Sequence, residues 1–225
     1  MRYIAAVPRT LFVAGALVLA ACASPAPQAQ QTPAPPAPTE GRRPLANLAA
    51  MRIIVTPVFK LDEGDPMGWA ASIPRHAVML RQLDSAIAAE FDARGLGSTW
   101  YFAPALEKSY ELNSTYAADP HMLAEQPLLG KLELGKNYGD PLATQLRPMI
   151  AMQDGARRVM RPVEVWFEKA ADGTSGVAVM KLVLVDARTT EFLWVGEVRS
   201  NPAPAFGPAV LQSLAGHFAD LVIAP

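Results

Sequence analysis

The chain has 225 residues, 51% of them hydrophobic, with 20 basic and 21 acidic side chains and a formal charge of −1. That balance leaves no basic surplus to hold nucleic acid or an anionic lipid surface, so neither is expected as an electrostatic partner. Cys22 is the single cysteine, which excludes a disulfide within the chain. A folded part must then be stable on its apolar core, and about 180 residues can bury enough surface for that.

The amino-terminal stretch has the three parts of an export signal. Arg2 and Arg9 supply positive charge, with no acid before Glu40. Leu11 to Ala20 is an unbroken apolar run, and Pro8 and Arg9 stop it from extending backwards. It falls short of the ~20 residues needed to span a bilayer. Small residues, Ala20 and Ala21, lead to Cys22.

Leu19-Ala20-Ala21-Cys22 resembles the lipobox of bacterial lipoproteins. The resemblance implies a signal peptide over residues 1–21 and lipidation at Cys22. A diacylglyceryl group would sit on the thiol, the chain would be cut before it, and the new amine would be acylated, with palmitate as the expected kind of chain. The other reading of Cys22 is a small buried hydrophobe or an ordinary cleavage-site residue. Each acyl chain contributes on the order of 10 kcal/mol of membrane binding, and several together hold a protein essentially for good. Ala23 follows the cysteine in place of Asp, which in the enteric lipoproteins favours the outer membrane, facing the periplasm. Without Arg2 and Arg9 the mature chain carries 18 basic and 21 acidic residues, a charge of −3.

Residues 22–44 form the lipidated cysteine and a tether. From Ala23 to Thr39 the chain is Ala, Pro, Gln, Ser and Thr, Glu40 to Pro44 follow, there is no large apolar residue, and the stretch holds Pro25, Pro27, Pro33, Pro35, Pro36, Pro38 and Pro44. Such a composition cannot offset ordering entropy by burial. Its reach runs from roughly 25 Å as a coil to about 70 Å in extended polyproline form. A proline-rich recognition motif is the other reading, weakened by the lack of flanking positive charge before Arg42.

Residues 45–225 read as a single α/β domain. Met51 to Val58 is a β-branched run that suits a strand covered on both faces. Lys60 to Trp69 reads as a loop, and the spacing of Asp62, Glu63 and Asp65 does not match the alternating ligands of a calcium loop. Ser72 as N-cap and Pro74 in the first turn open a helix whose Leu80, Leu83, Ile87 and Phe91 share one face, with Gly95 at the C′ position. Ser98 to Phe102 favours a strand, which implies a right-handed β-α-β crossover. Pro104 opens a second helical stretch with Leu106, Tyr110 and Leu112.

From Asn113 to Asp140, Pro120, Pro127, Gly130, Gly135 and Gly139 break any long element. A long irregular insert is uncommon without a role, so 113–140 is the expected partner-binding surface. Asp140 as N-cap and Pro141 at N1 start another helix, with Leu142, Leu146, Met149 and Ile150 as its stripe, a kink at Pro148, and Gly155 closing it. Val159 to Phe167, Val177 to Val185 and Phe192 to Val198 read as three strands of an antiparallel meander, turned at Asp172-Gly173 and Arg188-Thr189-Thr190. Leu211, Leu214, Phe218 and Leu221 lie on one face of a closing helix. The expected architecture is a mixed sheet of about five strands with helices on both faces.

The stretch Val185-Asp186-Ala187-Arg188-Thr189-Thr190-Glu191-Phe192-Leu193-Trp194 resembles a hairpin common in periplasmic lipoproteins, in which Asp-Ala-x-Thr-Gly-x-hydrophobic-Trp joins two strands. Thr190 stands where that pattern prefers Gly. The order of elements over roughly residues 50–222 is similar to the α/β domain of CsgG, of the LpoB synthase activator and of the TolB amino-terminal domain.

No catalytic set emerges. His76, His121 and His217 are scattered without metal-ligand spacing and read as structural or exposed. Gly95-Leu96-Gly97 follows a helix, which does not suit a phosphate loop. Glu164 and Glu168 at alternate strand positions read as one solvated face. Trp69, Trp100, Trp166 and Trp194 read chiefly as core. No cofactor and no metal are expected. The leading functional expectation is a non-enzymatic outer-membrane lipoprotein, anchored through Cys22, whose periplasmic domain binds an envelope protein or serves envelope assembly. The alternatives are a tethered small-ligand or glycan binder using exposed aromatics and, after it, a hydrolase.

Overall fold

The computed structural model describes residues 43–62 and 64–225. The expected signal peptide, Cys22, nearly all of the tether and Glu63 lie outside the described residues. The described part falls in one unit, 41–225.

β-branched and aliphatic runs build the sheet. Ile53–Val55 (β1) is buried at every position, and its side chains alternate, with Ile53 and Val55 in one core and Ile54 in the other. Pro57 carries no N–H for a ladder, and the strand breaks there, resuming as Lys60–Leu61 (β2). Both segments run parallel to Arg158–Lys169 (β4), β1 beside Arg158–Met160 and β2 beside Glu164–Val165. The Thr56 and Phe59 N–H groups donate to the Met160 and Pro162 carbonyls and bridge the gap. Opposite it, β4 bulges between Pro162 and Glu164, where a proline is tolerated inside a central strand.

Gly176–Asp186 (β5) and Glu191–Arg199 (β6) continue antiparallel from β4. Trp100–Tyr101 (β3) runs parallel to β1 on its outer side. The sheet is therefore mixed and six-stranded, in the order β3-β1-β4-β5-β6 with β2 also on β4. That is the expected β-α-β unit followed by a meander. The sixth strand, β2, falls in the stretch read from sequence as loop.

Helices cover both faces. His76–Ala93 (α1) and Pro208–Asp220 (α4) pack on one, placing Leu83, Ile87 and Phe91 with Leu211, Leu214 and Phe218 against Met160, Phe167 and Met180. Ala103–Leu112 (α2) and Leu142–Ala151 (α3) cover the other, with Leu106, Leu142, Leu146 and Met149 over Val159, Val163 and Val183. Each such aliphatic or aromatic side chain contributes roughly 1.5–3 kcal/mol on full burial. Stacked Phe91 and Trp100 rings (centroids 4.9 Å apart) join α1 to β3.

Local chemistry ends α1 as its sequence requires. Gly95 adopts φ 83°, its N–H donates to the Asp92 carbonyl and the Leu96 N–H to that of Phe91, the paired bonds of a Schellman turn. Other helix boundaries differ from expectation. Ser72 ends a short 3-10 turn, Ala70–Ser72, and α1 begins at His76 with no side-chain cap. Asp140-Pro141 is a cis peptide, Pro141 stands at the N-cap, and α3 begins at Leu142. Asp140 still serves the helix start, accepting from the Thr144 N–H (3.2 Å) and hydroxyl (2.7 Å). Pro148 lies within α3, which continues past it to Ala151. Leu112, expected on the apolar face of its helix, is 76% exposed.

Candidate functional site

The insert between α2 and α3 is irregular apart from one 3-10 turn, Gln126–Leu128, yet it is fastened to the sheet. Leu123, Leu128 and Tyr138 are buried in the core shared with α2 and α3. The Lys181 ammonium on β5 donates to the carbonyls of Leu128 (3.0 Å) and Gly130 (2.9 Å). The Ala124 N–H donates to Gln145 Oε1 of α3 at 2.7 Å. Further along, the Gly135 N–H donates to the Phe192 carbonyl and the Phe192 N–H to that of Lys136, so the insert caps the first part of the β6 edge.

Beneath the insert sits a buried ion pair. Arg161 on β4 points its Nη2 at Oε1 of Glu125, with side chains only 1% and 3% exposed. Arg161 Nε and Nη1 and Glu125 Oε2 have no hydrogen-bond partner among the described residues. Burial lowers the Arg161 pKa to about 9, which still leaves the guanidinium charged at neutral pH. Such a pair adds little net stability, because the desolvation of both ions offsets their attraction. It ties Glu125 of the insert to Arg161 of the central strand.

The outward side of the insert is different in kind. Among the described residues the exposed large hydrophobics are Phe59, Val78, Leu112, Tyr116, Met122 and Leu134. Four of the six fall in the short span 112–134, with Leu112 76%, Tyr116 81%, Met122 72% and Leu134 63% exposed. These four large apolar side chains are therefore close in sequence and each open to solvent.

Beside the insert, the same sheet face is uncovered over the second half of β4. There a groove of about 550 Å³ is lined by Asp62, Glu164, Trp166, Lys181, Val195 and Glu197, with Gly130 to Leu132 along one side. Its charges are paired both across strands and along them. Lys60 meets Glu164 at 3.3 Å and Asp62 at 3.5 Å, and Lys181 lies 3.8 Å from Glu164. Burial acts to lower the Lys60 pKa, but Glu164 and Asp62 outweigh it and hold the pKa above its ordinary value. Arg199 pairs with Glu168 at 2.5 Å and with Glu197 at 3.7 Å. Arg199 and then the Trp166 indole N–H, which donates to Glu168 at 2.7 Å, hold the Glu168 carboxyl below its usual range.

No family model matches the chain, and no curated protein matches it. Among solved structures, the chain is similar to a PelC dodecamer subunit from Paraburkholderia phytofirmans, at 14% identity and a TM-score of 0.38 over 79% of this chain and 91% of that one. It is similar to the LpoB C-terminal domain from Salmonella enterica, at 14% identity and a TM-score of 0.34 over 71% and 94%. A lipoprotein from Neisseria meningitidis shows 18% identity and a TM-score of 0.32 over 76% and 96%. These neighbours include LpoB, to which the order of elements was likened. The likeness to CsgG and TolB rests on the sequence reading alone.

The sequence-derived candidates are dispersed. Cys22 lies outside the described residues. His76 is exposed at the start of α1. His121 is 2.7 Å from Glu107. Nδ1 of His217, on α4, meets the Arg199 carbonyl. Asp65 accepts from the Met67 N–H (3.0 Å) and the Ala70 N–H (2.5 Å), closing a turn. Glu164 and Glu168 do share one solvated face, as expected, and Trp166 stands between them. Trp69 and Trp100 are core, at 5% and 2% exposure, but Trp166 lines the groove and departs from that expectation. Sequence reasoning passed over Arg161 and Glu125. A charge in the middle of the apolar run Val159 to Phe167 was the available signal for the first. No local pattern marks the second.

Proposed function

We propose that this protein is a non-enzymatic lipoprotein of the cell envelope, anchored through lipidated Cys22, facing the periplasm from the outer membrane, whose domain docks an envelope protein through the outer side of the insert. The observation that carries the reading is the run of exposed Leu112, at the end of α2, and Tyr116, Met122 and Leu134, in the insert, whose Leu123, Leu128 and Tyr138 are buried. A pinned segment presents these side chains with little ordering left to do on binding, which favours association. The export signal and the proline-rich tether support the anchored placement. His76 is exposed, His121 pairs with Glu107, and His217 meets a backbone carbonyl.

The test is mild crosslinking in membranes, followed by pull-down of the parent chain and of a Leu112→Ser, Tyr116→Ser, Met122→Ser variant. The parent captures a consistent protein partner and the variant loses it. Capture that is equal in both removes the insert from the reading. For the anchor, mass spectrometry of detergent-extracted protein shows acylated Cys22, and Cys22→Ser moves to the soluble fraction. An unmodified Cys22, or membrane retention of the serine variant, overturns the placement.

A further inference from the structure

The groove over Trp166 plays no part in the docking reading, and its chemistry is specific. Four acids (Asp62, Glu164, Glu168 and Glu197) and four cations (Lys60, Lys131, Lys181 and Arg199) lie in it or are tied to it by ion pairs. Among the described residues the local charge is therefore zero. A polyanion or a polycation would find as much repulsion as attraction there, so charge complementarity selects an uncharged polar ligand. The indole N–H of Trp166 is already committed to Glu168, which fixes the ring and leaves its π-surface as the apolar element, next to Val195. The groove crosses β2, β4, β5 and β6, three strand spacings or ~14 Å, a length suited to a short chain of linked units.

We propose that this groove binds a neutral glycan. A pyranose ring has apolar C–H faces, which stack on an aromatic plate, and a rim of hydroxyls that both donate and accept. Trp166 supplies the plate. Asp62, Glu164 and Glu197 accept from hydroxyls, Lys131 donates to them, and the exposed Gly130 backbone borders the groove. Because each carboxylate already has a cation beside it, a hydroxyl can bond without either partner losing its counter-charge. One wall of the site belongs to the insert, but Leu112, Tyr116 and Met122 do not line it, so it adds a ligand to the proposed protein partner and does not depend on one.

The test is calorimetric titration of the full lipidated chain, in a detergent without a sugar headgroup, with tetra-N-acetylchitotetraose, cellotetraose and maltotetraose. At least one of them binds saturably, and its affinity does not change with added salt because the ligand is uncharged. Trp166→Ala weakens binding about tenfold, the loss of one stacking contact, and Trp166→Phe restores most of it. Circular dichroism establishes that each variant is folded. If Trp166→Ala does not fold, Glu197→Gln serves in its place and weakens binding through a lost acceptor. Absence of heat with all three sugars at millimolar concentration overturns the proposal. So does undiminished binding by a folded Trp166→Ala, or binding of pentalysine or heparin in place of the neutral sugars. Partner capture through Leu112, Tyr116 and Met122 persists in Trp166→Ala, so failure of one reading is distinguishable from failure of the other.

Discussion

Arg161 and Glu125 face each other under the insert as an ion pair from which water is almost wholly excluded, with side-chain exposures of 1% and 3%. The pair joins the central strand of the sheet to the irregular insert. Removing one member strands the other charge, at a cost of about 3–5 kcal/mol. Glu125→Leu and Arg161→Met alone each destabilise the fold by that order in urea denaturation. The double variant recovers most of the loss, because it buries no charge. If the double variant is as unstable as the worse single one, the pair is not the fastening described here.

Asp84 gives the fold a pH dependence. It is 5% exposed, accepts the Val58 N–H at 2.8 Å, and its Oδ2 has no partner among the described residues. Burial pushes its pKa up to about 7, against the lowering effect of the Val58 bond; Glu107 adds to the rise and Arg81 opposes it. The folded state therefore binds this proton more tightly than the unfolded state does. The stabilisation is complete below the unfolded value near 3.8 and is lost as pH rises through about 7, amounting to on the order of 2–4 kcal/mol. Asp84→Asn keeps an acceptor for Val58 and cannot ionise. It raises the urea midpoint at pH 8 relative to the parent and flattens the slope between pH 5 and 8. A parent whose stability rises over that interval, with Asp84→Asn parallel to it, contradicts this account.

Thr190 sits at φ 64°, a conformation that costs a β-branched residue energy and glycine almost none. The turn is otherwise well made, since Asp186 Oδ1 accepts from the N–H groups of Arg188 (2.8 Å) and Thr189 (3.0 Å). The Thr190 N–H and carbonyl bond to Asp186 and Tyr138 through backbone atoms alone. Thr190→Gly keeps every one of these bonds and raises stability by about 0.5–1 kcal/mol, the relief of strain less the added chain entropy. Thermal unfolding measures it, and a lowered midpoint counts against the turn geometry.

The two sides of the insert separate by mutation. Deleting 113–140 exposes the face that Leu123, Leu128 and Tyr138 cover and leaves Arg161 without Glu125, so the deletion unfolds the domain and is a poor test of binding. Exposed positions behave otherwise. The Leu112→Ser, Tyr116→Ser, Met122→Ser variant keeps the parent stability to within about 0.5 kcal/mol per site while losing the partner. Circular dichroism melts of both variants decide between these expectations.

Much of the sheet was legible before the structure. Val159 to Phe167, Val177 to Val185 and Phe192 to Val198 each lie inside an observed strand, and the turn at Thr190 falls where its motif placed it. Strand alternation and turn chemistry act over a few neighbouring residues, so a linear reading captures them. Helix starts were less legible. Ser72 and Pro141 carry the right side chains for their assigned roles, but the chain path around them decides whether a helix begins there.

By itself the sequence determined the mixed α/β class, the helix stripes and the meander, because each depends on periodicity within one segment. Only the tertiary structure decided that Glu125 finds Arg161, that Asp84 is enclosed, and that Trp166 faces a groove and not a core. Those outcomes depend on which distant segments come together and on how much water they exclude, and a short-range pattern carries neither.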